Sequence, residues 1–175
     1  MSRHLLILRH AKSDWDAEVA GDFDRPLARR GRKAATAMGS WLAAHGLLPD
    51  LLFASPARRA KETARRLCRA ASLPEEAITW RPELYGAKGE TVLALVAGTP
   101  ERCGRVMVIG HNPGLAVLLH HLAGTELSIP ADGKVLPTAA LALLAVNGAW
   151  ADLAPATTRL VSLTRPREVM RGGEG

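Results

Sequence analysis

Short apolar runs separated by longer mixed segments set the pattern of this chain. Leu5-Leu6-Ile7-Leu8, Leu51-Leu52-Phe53-Ala54 and Val106-Met107-Val108-Ile109 are such runs. Their length and continuity predict strands buried on both faces. Between them the period changes to that of a helix. Ala34, Ala37, Met38, Trp41 and Leu42 recur at helical spacing over residues 28–45, and Gly46 follows as a helix end. Ser55-Pro56 predicts the next helix, with Ser as its cap and Pro in its first turn, reaching to about Ala71. Ile78-Thr79-Trp80 is a weak strand, residues 90–97 and 115–122 are helical, and residues 141–146 and 158–163 are two late strands. Asn147-Gly148 supplies a turn signal between those last two.

Strands alternating with helices predict an α/β protein: one three-layer domain with a mainly parallel sheet, helices on both faces and some antiparallel edge. A length of 175 residues fits one domain, taken here as residues 1–170, with residues 171–175 as a flexible tail. The chain is 47% hydrophobic and 23% charged, enough apolar material for a core and too little charge for a disordered segment. Aromatics make up only 4%, so Ala, Leu and Val must fill that core.

The net charge of +6 favours anionic partners, phosphorylated ones included. Most of the basic residues are arginines dispersed over helices, without the interleaved aromatics of a nucleic-acid surface, so no nucleic-acid partner is expected. Cys68 and Cys103 have no metal-ligand spacing. The first apolar run is too short for a secretory segment, and no run approaches the ~20 residues of a membrane helix. A cytoplasmic protein with no membrane partner is the expectation.

The candidate chemistry lies where strands end. Strand one delivers Arg9 and His10, strand two leads to Ser55, Arg58 and Arg59, and the strand at 106–109 leads to His111. In a parallel sheet these turns share the carboxyl edge, where open α/β sheets bind ligands. Two guanidiniums and two imidazoles converging there suit a phosphoryl group, whose transfer spreads charge over three oxygens. One neutral imidazole is the nucleophile and the second a donor, with cationic neighbours lowering the nucleophile's pKa. No carboxylate cluster for a divalent metal is visible, so a metal-independent reaction without cofactor is expected.

Four ordered motifs carry a resemblance: Leu8-Arg9-His10-Ala11-Lys12-Ser13; Asp24-Arg25-Pro26-Leu27 with Gly31; Ser55-Pro56-Ala57-Arg58-Arg59-Ala60; and Gly110-His111-Asn112-Pro113-Gly114. The chain resembles the histidine phosphatase superfamily, which includes the phosphoglycerate mutases, and within it the SixA-type phosphohistidine phosphatases. The resemblance implies His10 as the nucleophile that becomes phosphorylated, with Arg9, Arg59 and His111 completing the phosphate pocket. It implies phosphohistidine on a protein as the substrate, with a small phosphate ester, or phosphate-dependent binding with little turnover, as alternatives. Relatives often carry an acid after the third strand. Glu83 is the candidate here, although SixA-type members manage without one. Lys12, Ser13 and Arg25 either border the pocket and select the substrate or belong to the loop surface.

Overall fold

The computed structural model describes residues 3–172. Six strands form one sheet in the order β3-β2-β4-β1-β5-β6. The strands are β1 Arg3–Arg9, β2 Leu51–Ala54, β3 Ile78–Trp80, β4 Arg105–Gly110, β5 Leu141–Val146 and β6 Thr158–Thr164. The helices are α1 Arg29–Ala44, α2 Arg58–Ala70, α3 Gly89–Ala97, α4 Gly114–Ala123 and α5 Pro166–Gly172. The first four strands in chain order run parallel, while β5 and β6 add antiparallel on the β1 side. The mixed three-layer sandwich is the architecture that the alternating pattern predicts.

Alternation along each strand divides the core in two. Leu6, Leu8, Leu52, Met107 and Ile109 pack with Ala35, Met38 and Leu42 of α1 and with Ala64 and Leu67 of α2. Leu5, Ile7, Phe53, Val106 and Val108 face the other way, onto Val92 and Val96 of α3 and Leu115, Leu118, Leu119 and Leu122 of α4. All four residues of the first apolar run are fully buried, as expected of a central strand covered on both sides. Helix α1 approaches the loop after β1 so closely that a Cβ on Gly31 would stand 2.0 Å from the Lys12 carbonyl oxygen.

Three boundaries differ from the sequence expectation. The second helix begins at Arg58, not at Ser55-Pro56. Ser55 still belongs to the sheet edge, its N–H bonding Ile109 O at 3.0 Å, and its hydroxyl is committed elsewhere. The link between β5 and β6 is longer than a two-residue turn, because Trp150 is buried within it and donates from Nε1 to Cys103 O at 2.8 Å. Arg171 and Gly172 close helix α5 instead of opening a tail, and the remainder of that expected tail lies outside the described residues. Among the described residues, no helix is long and apolar enough to cross a membrane.

Candidate active site

Strand register builds the site. Arg9 pairs with Gly110 across the parallel β1–β4 ladder. The next residues, His10 and His111, therefore emerge side by side, with ring centroids 5.1 Å apart. Ala54 pairs with Ile109 on the other side of β4, which brings Ser55 beside His111. Ser55 Oγ and His111 Nε2 lie 2.8 Å apart. Arg59, in the first turn of α2, reaches back so that its Nε donates to His10 Nε2 at 3.3 Å. His10, Arg59 and His111 are all buried, though each is polar.

The tautomer of His10 follows from its contacts. Its Nδ1 lies 2.8 Å from the Ala11 carbonyl oxygen, which can only accept. Nδ1 therefore carries the proton, and Nε2 keeps a lone pair toward Arg59 Nε–H. Burial pushes the imidazole down to about 3. The Ala11 carbonyl opposes that shift, while the charges of His111, Arg59 and Arg9 add to it. The expected depression is present, but burial, not the cationic neighbours, is its largest cause. Burial also lowers His111 to about 4, with Arg59 next in effect. Both rings are neutral near pH 7.

Two buried donor atoms at this edge, Arg9 Nε and His111 Nδ1, have no hydrogen-bond partner among the described residues. Unpaired polar groups are costly to bury. Arg9 Nε, and His111 Nδ1 when it carries the ring proton, can each donate to an acceptor bound at this edge. Arg9 is further held by a weak 3.4 Å bond from one terminal nitrogen to Leu136 O.

Asp22, which the sequence reading did not single out, organises the rim. Its carboxylate accepts from Arg25 at 2.6 Å, from Arg59 at 2.9 Å and from the Tyr85 hydroxyl at 2.9 Å. Its backbone oxygen accepts a second bond from Arg59 at 2.7 Å. Those donors, Arg25 foremost, hold the carboxyl down to about 2. Asp22 thus fixes one edge of the Arg59 guanidinium while Nε points at His10. Thr63 makes a second brace: its hydroxyl donates to Arg59 O at 2.6 Å and accepts from Ala11 N–H at 3.0 Å. No spacing rule marks the link of Asp22 to Arg59, 37 residues away, or to Tyr85, 63 residues away, although Asp22 also bonds Arg25 three residues on. Thr63, one helical turn after Arg59, was not singled out by the sequence reading either.

The other candidates divide. Arg25 and Ser13 are buried and hydrogen-bonded to each other, so they belong to the network that carries Asp22. Lys12 has an exposed side chain, and its carbonyl accepts from Ala28 N–H at 2.9 Å. Arg58 points away, paired with Glu62 at 2.9 Å. Glu83 is not placed as a general acid. It pairs with Arg81, and its pKa is lowered by its own backbone N–H and by Arg81, the wrong direction for a proton donor near neutrality. Among the described residues, no group of three or more His, Cys, Asp or Glu is placed to hold a metal ion.

Comparison with known proteins bears on the family and the fold. Residues 5–85 match the family model of the histidine phosphatase superfamily, branch 1. The chain is 34% identical over 164 residues to the uncharacterised protein MT1313 of Mycobacterium tuberculosis, covering 91% of this chain and all of that one. The structure of a protein provisionally designated phosphohistidine phosphatase SixA from Agrobacterium tumefaciens superposes with a TM-score of 0.79 at 31% identity, over 94% of this chain and 98% of that one. A counterpart with the same provisional designation from Nakamurella multipartitia gives 0.77 at 31% identity, over 95% of this chain and 97% of that one. With the motif residues gathered at one sheet edge and relatives matched over their whole length, the chain belongs to the histidine phosphatase superfamily.

Proposed function

We propose that this protein is a metal-independent phosphatase that works through phospho-His10, and that phosphohistidine on a protein is its substrate. The observation that carries the reading is His10 itself: buried, neutral, its proton held on Nδ1 by Ala11 O, and its Nε2 lone pair facing Arg59. That is an imidazole ready to attack without first losing a proton.

In the proposed reaction His10 Nε2 forms a bond to phosphorus as the bond to the leaving nitrogen breaks. The leaving imidazole keeps that electron pair and departs protonated. Arg9 and Arg59 hold the equatorial oxygens. With the Ser55 hydroxyl hydrogen directed at Nε2, His111 carries its proton on Nδ1, the buried atom that has no partner, and donates it to a phosphoryl oxygen. Water then attacks phosphorus. The P–N bond to His10 breaks, the pair returns to Nε2, and inorganic phosphate leaves.

The choice of a phosphoramidate rests on the acids present. Asp22 is the carboxylate at the rim, and its three donors keep it ionised. Glu83 faces Arg81. Neither supplies a proton to an alkoxide, so alkyl phosphate esters are poor substrates. An imidazole nitrogen takes its proton from solvent or carries it already. Metal independence is supported by a donor set of guanidiniums and imidazoles instead of clustered carboxylates. A cytoplasmic setting is part of the reading, supported by Cys68 and Cys103, both buried and unpaired.

Phosphate release from a phosphohistidine-bearing protein and from p-nitrophenyl phosphate, in excess EDTA, tests the proposal. The expected result is release that survives EDTA, favours the phosphoprotein in kcat/KM and disappears in His10→Ala. Faster turnover of the small ester points to a small-molecule phosphatase, and phosphopeptide binding without release points to a binding protein. Either result overturns the reading.

A further inference from the structure

The seven aromatic residues of the chain are unevenly spent. Phe53 and Trp150 are buried, and Trp41 and Trp80 are half-buried against the core beneath α1 and α2. The remaining three, Trp15 at 71%, Phe23 at 40% and Tyr85 at 39%, are exposed. All three stand at the rim of the phosphate pocket. Trp15 lies against the Arg25 guanidinium at 3.5 Å, and Tyr85 bonds Asp22.

The rings form a file. His10 and His111 are 5.1 Å apart between centroids, Tyr85 meets His111 edge-on at 5.6 Å, and Phe23 meets Tyr85 edge-on at 5.0 Å. A continuous aromatic wall therefore runs from the nucleophile to the surface, on the side occupied by His111 and Tyr85. Concentrated aromatic exposure of this kind marks a contact surface. Rings of this type recognise planar π-systems, and cationic ones more strongly. The imidazole of phosphohistidine is planar, and it carries positive charge while its second ring nitrogen is protonated, until the P–N bond breaks and it leaves as neutral imidazole.

We propose that Phe23 and Tyr85 form a leaving-group subsite for a planar ring bonded directly to the phosphoryl group, and that its occupant is the imidazole of phosphohistidine. This rests on the phosphohistidine reading and deepens it: the enzyme reads the ring as well as the phosphoryl group. Phe23 is the cleaner probe, since Tyr85 also bonds Asp22 while Phe23 contributes only its ring.

The test compares two substrates with the same P–N bond, one with a ring and one without: phosphohistidine and phosphoramidate, whose leaving group is ammonia. Steady-state kcat/KM is measured for wild type, Phe23→Ala and Phe23→Tyr. Phe23→Ala is expected to lose about fivefold on phosphohistidine, the size of one aromatic contact. It is expected to leave phosphoramidate unchanged, and Phe23→Tyr to restore the wild-type ratio. An equal loss on both substrates, or no loss on either, overturns the subsite while leaving the phosphohistidine reading intact. Turnover of neither P–N compound by wild type, with p-nitrophenyl phosphate still hydrolysed, overturns the phosphohistidine reading and the subsite together.

Discussion

Acid should weaken this fold through its two active-site histidines. His10 is held down to about 3 and His111 to about 4, both mainly by burial, whereas in the unfolded chain each titrates near 6.5. A histidine lowered on folding costs nothing at a pH above 6.5. Below it the unfolded state binds the proton and the native state does not, so stability falls as pH drops from 6.5 toward the folded value. Between pH 7 and pH 5 each ring contributes a loss of about 2 kcal/mol, about 4 kcal/mol for the two. Asp22 does not add to this loss, because its carboxyl, held at about 2 against an ordinary 3.8, matters only below that window. Urea unfolding of wild type, His10→Gln, His111→Gln and the double variant at pH 7 and pH 5 measures the effect. Each single variant should show about half the wild-type loss, and the double variant little of it. An undiminished loss in the double variant would refute the claim that these rings are neutral because they are buried.

Other perturbations reach the site through its supports. Thr63→Val keeps the shape but leaves the buried Ala11 N–H without its 3.0 Å partner. It should cost about 1–3 kcal/mol in chemical denaturation and lower kcat more than it raises KM, since Ala11 adjoins the nucleophile. Gly31→Ala places a Cβ 2.0 Å from the Lys12 carbonyl oxygen, so helix α1 and the loop after β1 must separate. A loss of about 1–3 kcal/mol is expected despite the better helix propensity of alanine, read as a lower melting temperature with reduced activity.

Much of the fold was legible because each central strand is a run of apolar residues with no polar alternation, the mark of burial on both faces. β2 and β3 fall where the sequence puts them, and so does β5. What escaped was decided by contacts distant in sequence. Ser55-Pro56 reads locally as a helix start, but the Ser55 N–H completes the sheet edge and its hydroxyl serves His111, so the helix waits until Arg58. Helix α5 has only Val169 and Met170 as apolar residues in seven positions, too little for a periodic signal. At the site, Arg9, His10 and His111 were visible because the parallel register brings strand ends together, whereas Arg59 was told from Arg58 only by the family resemblance. Asp22 was not, since its grip on Arg59 spans 37 residues and no spacing rule links a loop carboxylate to a helix arginine. Glu83 was named by its place in the chain, and its own neighbour Arg81 claims it.

The most direct test of the account is to trap the enzyme during turnover of a phosphohistidine substrate, by rapid quench at alkaline pH followed by intact and peptide mass spectrometry. The account predicts a transient gain of one phosphoryl group, localised to His10, stable to base, labile to acid and absent from His10→Ala. Phosphate release with no phosphoenzyme, or with the phosphoryl group on any other residue, would contradict it.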